Sequence, residues 1–325
     1  MQTRASSPIR RPPLLSGVGH LVGALRNLGL LPVGFSDRDR VASFPADDGQ
    51  LIPVQVTGDG PPVVLVHGLG CAHTHWKRVA RRLARQHRVY AWDARGHGDC
   101  HVDETSHITL ARLARDLANM IEFFGLESVA LVGHSMGALT VMQFLRDFGV
   151  MRVAAVCLVD QSPRVVTDED WRLGLFGGCS ASMLGGLISG ARSNLADTVL
   201  RQIEAAAGDW LRRRLAPDAM LGRWLRRWLK RIHVEPLLDL CESLAAADFR
   251  PLFSRFDVPL LVVLGGLSPH YAGLPLDAWY REKVPHARVM TFEDSGHSPH
   301  YAEPARFARE LRQFFEEHAF GGARS

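Results

Sequence analysis

The chain alternates between short, mostly apolar runs and longer stretches in which apolar positions recur every three or four residues. P-V-V-L-V-H (62–67), R-V-Y-A-W-D (88–93), S-V-A-L-V-G (128–133), V-A-A-V-C-L-V-D (153–160), P-L-L-V-V-L-G (259–265) and 287–292 are of the first kind. Runs this short and this rich in β-branched residues predict strands buried on both faces. A weaker alternation over 51–56 predicts an edge strand, followed by a turn at Gly58, Gly60, Pro61 and Pro62. Helical periodicity covers 75–86, 110–124, 138–148 and about 304–318, with Gly125 as a stop signal. Buried strands alternating with amphipathic helices imply an α/β fold, a mostly parallel sheet with helices on both faces. Ligands in such sheets bind beyond the carboxyl ends of the strands, so the chemistry is sought there.

The alternation fails between 161 and 248. That segment has no clear strand and is rich in Arg and Trp, notably D-W-L-R-R-R-L (209–215) and R-W-L-R-R-W-L-K-R (223–231). Gly174, Gly177, Gly178, Gly185 and Gly186 loosen its first third. It reads as a helical lid inserted into a core made of 46–160 and 249–320. Residues 1–45 read as a partly ordered extension, with one amphipathic helix from about Val18 to Leu30.

Composition narrows the function classes. With 46% hydrophobic and 22% charged residues the chain is an ordinary globular one. A net charge of +4, carried mostly by Arg and without a recognisable reading module, gives no support to nucleic-acid binding. The five cysteines, Cys71, Cys100, Cys157, Cys179 and Cys241, form no C-x-x-C pair, so neither a zinc knuckle nor a redox motif is indicated. Reduced thiols, the lack of a clean signal peptide and the lack of a membrane-length apolar run fit a cytoplasmic protein.

Ser135 lies in G-H-S-M-G (133–137), after a buried strand and before a helix. This is the context of a nucleophile elbow, a turn so tight that only small residues fit two positions to either side of the serine. The turn lifts the hydroxyl above the sheet and puts the Met136 amide at a helix N-terminus, where it can donate to an oxyanion. A second amide is expected from His67-Gly68-Leu69-Gly70 after the first buried strand, with Leu69 as the candidate donor. Serine needs a base. His297 in D-S-G-H-S-P-H, after the last strand, has the right place in the chain order, and His300 is its rival. His67, Gly68, His134 and Trp171 are candidates for the pocket wall. Asp93 reads as a structural residue holding a loop through backbone amides. His73, His75, His97 and His101 do not make a coherent ligand set, and no metal is expected.

Together H-G-L-G, D-A-R-G-H-G (93–98), G-H-S-M-G and D-S-G-H-S-P-H-Y-A-E-P (294–304) resemble the α/β-hydrolase superfamily over residues 50 to 318. The resemblance implies an eight-stranded, mostly parallel sheet, a lid after strand six, and no cofactor. It also exposes a departure. Many relatives carry the triad acid just after the strand read here as 259–265, where this chain has Ser268. The superfamily has a second acid station at the end of the preceding core strand, and Asp160 occupies it. Asp160 is therefore expected to orient His297, with Asp277 and Asp294 as alternatives.

These residues point to a serine hydrolase cleaving an ester or thioester with an apolar or aromatic acyl group. Two alternatives stand beside it. One is a carbon–carbon bond hydrolase or acyltransferase using the same triad. The other is a non-catalytic small-molecule-binding protein on the same scaffold, which the missing acid at Ser268 would favour. The Arg/Trp stripe from Trp210 to Arg231 reads first as packed lid helices, and second as a docking face for an acyl carrier protein or a membrane surface.

Overall fold

The computed structural model describes residues 41–103, 105–206, 216, 218–220, 222–223 and 235–320. The amphipathic helix expected at 18–30 lies outside them, as do the stripe residues 210–215 and 224–231.

Eight strands form one sheet: β1 (Val41–Pro45), β2 (Leu51–Thr57), β3 (Pro62–Val66), β4 (Arg88–Trp92), β5 (Val129–His134), β6 (Val153–Val159), β7 (Leu260–Gly265) and β8 (Arg288–Phe292). Their spatial order is β1-β2-β4-β3-β5-β6-β7-β8. The β1–β2 and β2–β4 pairs are antiparallel, and every other neighbouring pair is parallel. The expected fold class, an eight-stranded and mostly parallel sheet, is what the chain adopts. The six apolar runs coincide with β3 to β8 to within about a residue at each end. Residues 41–45, assigned from sequence to the extension, form the outermost strand instead. V-A-S-F-P is too short and too mixed to show a period, and it is held by its register on β2, with Phe44 opposite Ile52.

Alternation within the central strands builds two cores. Val64 and Val66 of β3, Leu131 of β5 and Val262 of β7 face one way, onto α2 (Leu110–Phe123) and α3 (Met136–Phe148). Val63 and Leu65, Val132 and Val263 face the other way, onto α1 (Lys77–Leu83) and α8 (Pro304–His318). Helix α2 starts where Thr109 Oγ1 accepts the Arg112 amide at 3.1 Å, a side-chain cap on an otherwise orphaned donor. The helix foreseen from residue 75 is divided, a 3₁₀ turn at His73–Trp76 preceding α1.

Between β6 and β7 run α4 (Ala181–Ala206) and α5 (Glu235–Ala246). Gly185 and Gly186, read from sequence as loosening this segment, sit inside α4. A Cβ at either would meet nothing within 4 Å, so packing asks for no side chain there. Helix α6 (Leu276–Lys283) precedes β8, and the single turn α7 (Pro299–Ala302) precedes α8. Among the described residues no helix is long and apolar enough to cross a membrane.

Candidate active site

The site is built where β3, β5, β6 and β7 end. Ser135 follows β5 with φ 54° and ψ −122°, a left-handed conformation that costs a residue with a Cβ strain energy. The bend is closed by backbone. Ser135 N–H donates to Val159 O at 3.1 Å, and Ser135 O accepts the Ala138 amide at 2.8 Å. The flanking glycines are required sterically. A Cβ on Gly133 would stand 2.5 Å from Gly137 O, and one on Gly137 would stand 2.2 Å from Val66 O. Met136 is the first residue of α3, so its amide has no carbonyl within the helix to bond.

The loop after β3 lies directly over this bend. A Cβ on Gly68 would come within 3.2 Å of Ser135 Cβ and 2.8 Å of His134 Nδ1, so only glycine lets the backbone pass. The next residue, Leu69, is 41% exposed. His67 fixes the loop from beneath. Its Nε2 accepts the Ala94 amide at 3.0 Å, and its Nδ1–H donates to Gly68 O at 2.8 Å. Complete burial pushes the His67 imidazole down to about 4, so it stays neutral and keeps that acceptor–donor pattern.

Asp160, the first residue beyond β6, also takes a left-handed backbone conformation, φ 48°. Its side chain is fully buried. Asp160 Oδ1 accepts the Gly265 amide at 2.8 Å. Asp160 Oδ2 accepts from Ser268 Oγ at 2.5 Å and from His297 Nδ1 at 2.6 Å. Ser268, which stands where an acid was expected, therefore donates to the acid at the neighbouring strand. Three donors satisfy the buried carboxylate, and one of them is the candidate base.

The loop that carries His297 is tied to the end of β7. Gly266 N–H donates to Phe292 O at 2.8 Å, and Leu267 N–H donates to Ser295 O at 2.9 Å. A Cβ on Gly265 would stand 2.0 Å from Gly296 O. His134, beside Ser135, donates Nε2–H to the His297 carbonyl at 2.8 Å, and the two rings lie 4.7 Å apart. Ser135 and His297, far apart in the chain, thus share one corner of the molecule.

The alternatives fall elsewhere. His300 is 1% exposed, stacks on Trp76 at 3.9 Å and meets His75 Nδ1. Asp294 is exposed, and Asp277 is in the first turn of α6. Asp93 accepts the His73 amide at 2.6 Å and the Asp99 amide at 3.0 Å, which is a scaffold role. Trp171, named from sequence as a pocket wall, keeps other company. Its Nε1–H donates to Arg164 O, and its ring packs edge-on against Trp279 under the Arg250 guanidinium.

Sequence reasoning missed His270. Its ring packs edge-on against His297 with centroids 4.2 Å apart, and burial together with the His297 charge pushes it down to about 3. Its signal was its place, two residues past Ser268 on the loop that leaves β7. Gly265 and Gly266 are similarly legible only once the His297 loop is seen to cross them.

A profile of the alpha/beta hydrolase family matches residues 63–310. The chain is 24% identical over 263 residues to 3-oxoadipate enol-lactonase 1 of Acinetobacter baylyi, covering 80% of this chain and 91% of the lactonase. It is 28% identical over 278 residues to the pimeloyl-[acyl-carrier protein] methyl ester esterase of Chromobacterium violaceum, covering 82% and 98%. In three dimensions it is similar to an esterase from Exiguobacterium antarcticum, with a TM-score of 0.68 at 20% identity, covering 85% and 99%.

Proposed function

The chain belongs to the alpha/beta hydrolase family and is a hydrolase, and we propose that it is a serine esterase working through an acyl-enzyme on Ser135. The observation that carries this is the bond from His297 Nδ1 to the buried Asp160 carboxylate, 2.6 Å. A carboxylate can only accept, so neutral His297 holds its proton on Nδ1 and leaves Nε2 as the free base. Ser135 Oγ attacks the acyl carbon while His297 Nε2 takes the hydroxyl proton. The amides of Met136 and Leu69 hold the oxyanion, each donor worth about 10²–10³ in rate. His297 then returns the proton to the leaving alcohol and activates a water that releases the acid. Asp160 stabilises the imidazolium in both halves.

Exposed apolar side chains support an ester with an apolar acyl group. Leu69, Leu267, Phe176 and Tyr301 are 41, 61, 61 and 45% exposed. They are neighbours of the corner in different ways: Leu69 follows Gly68, Leu267 precedes Ser268, Phe176 touches His270, and Tyr301 stacks on His75. An apolar surface around a polar centre is the ordinary form of a small-molecule site.

Two relatives, named for a lactone and for a carrier-linked methyl ester, favour a small ester or lactone and keep a carrier-borne acyl group as a second reading. A fluorophosphonate probe tests the first proposal. One covalent adduct per chain is expected, located on Ser135 by peptide mass and lost in Ser135→Ala. Absence of labelling in wild type, or labelling that persists in Ser135→Ala, overturns it. For the second reading, kcat/KM for a carrier-linked methyl ester should exceed that for the free ester, and equal values remove it.

A further inference from the structure

Behind the proposed catalytic pair lies a second group of side chains which the esterase reading does not use. His75, His134 and His300 converge from the turn before α1, the end of β5 and α7. All three are buried, at 6, 2 and 1% exposure. One ring nitrogen from each lies within 4.8 Å of the others. Among the described residues no Asp, Glu or Cys joins these three histidines, and the hydrogen bonding is incomplete. His134 Nδ1 and His300 Nδ1 are buried with no partner. A buried polar nitrogen without a partner costs free energy, and a ligand at His134 Nδ1 would relieve the first of the two; His300 faces the group through Nε2 instead.

We propose that these three imidazoles form a site for a divalent transition metal of the zinc, cobalt or nickel class, and that its occupancy slows hydrolysis. The His134 ring has one feature of a metal-bound histidine. Its Nε2–H donates to the His297 carbonyl at 2.8 Å, which is the outer contact that metal-bound histidines make, and this leaves Nδ1 with an open lone pair. His75 Nδ1 and His300 Nε2 are 3.1 Å apart. Imidazole nitrogens at 2.0–2.1 Å from one tetrahedral zinc stand about 3.3 Å from each other, so this pair is at ligand spacing before any movement. One proton lies between the two rings. On metal binding it moves to the other nitrogen of the ring that holds it, and both facing nitrogens become ligands without net proton release. Three nitrogen ligands with a fourth position for water suit zinc-class ions rather than calcium or magnesium.

Coupling to the reaction follows from His134. It precedes Ser135 in the chain and holds the carbonyl of His297. Drawing its ring toward a metal shifts both partners of the proposed proton transfer, for which sub-ångström placement matters.

The test is equilibrium dialysis of the wild-type protein against Zn²⁺, with bound metal measured by mass spectrometry. One ion per chain is expected, and at least tenfold weaker binding in His75→Gln and in His300→Gln. His101→Gln, at an exposed histidine elsewhere, should bind as wild type does. If the ligand variants fail to fold, X-ray absorption on the wild-type zinc complex decides, with three imidazole ligands expected. The site is overturned by no stoichiometric zinc, by binding that His75→Gln and His300→Gln leave unchanged, or by fewer than three imidazoles. Ester turnover should fall over the same zinc range as binding, and stoichiometric binding with unchanged turnover overturns the inhibitory half. The dialysis result does not depend on the esterase reading, so the two can fail separately.

Discussion

The carboxyl ends of β6 and β7 are adjacent, and each could hold the acid of a triad. They have divided the work instead. The end of β6 holds Asp160, fully buried and fixed by three donors. The end of β7 holds Ser268, which is one of those donors. A carboxylate out of water has to be surrounded by hydrogen-bond donors or it gives up its charge. With the proposed acid at the end of β6, the end of β7 supplies a donor to it rather than an acceptor. The flanking histidines follow the same division. His297 bonds the carboxylate, whereas His270, beyond Ser268, is held neutral by burial.

The contrast can be broken at several points. The largest effect lies outside both stations. Ser135→Ala should lower kcat by about 10⁴–10⁶ while the melting temperature holds, because only the attacking atom is lost. A drop under tenfold in ester turnover would leave no reason to discuss an acid at all. Next is a transplant. In Asp160→Asn/Ser268→Asp the carboxylate moves to the β7 station, and turnover should recover about 10–10² over Asp160→Asn alone, measured with the same ester. No recovery would mean that only the β6 geometry can reach His297.

A smaller change tests the donor. Ser268→Ala removes one bond to a charged acceptor, and kcat should fall by about 3–30-fold. The smallest effect is on stability. Burial holds His270 and His97 down to about 3, and His67 and His75 down to about 4. An unfolded chain would protonate all four near 6.5. Each folded pKa is depressed, so between that value and about 6.5 the unfolded state binds more protons. Their contribution is complete above about 6.5 and declines as the pH falls toward 4 and then 3. The urea midpoint should be flat from pH 8 to 7 and drop steadily below 6.5, less steeply in His97→Asn.

The sheet was largely legible in the sequence because the central strands β3, β5, β6 and β7 are almost wholly apolar, and even β4 and β8, with Arg88, Arg288 and Thr291, stand out against amphipathic helices. β1 was not, since an edge strand of five residues ending in Pro45 has no period to read and depends on its neighbour. Ser135, Met136 and His297 announce themselves through local steric demands, glycines on either side of a bend or a histidine after the last strand. Asp160 was reached only through the family resemblance, from the acid station at the end of the strand before Ser268, and its bond to His297 is seen only in the fold. The meeting of His75, His134 and His300 was invisible, because three segments far apart in sequence converge only through the crossovers of the sheet. Trp171 illustrates the reverse. An aromatic residue near the start of the presumed lid suggested a pocket wall, and its indole packs with Trp279 and Arg250 and donates to a carbonyl.

The division between the two strand ends rests on Asp160 holding His297 in its working tautomer, and kcat of Asp160→Asn measures this most directly. With the fold intact by circular dichroism, kcat should fall by about 10²–10⁴. Turnover of the variant at the wild-type rate would contradict the account and return the acid's role to another carboxylate.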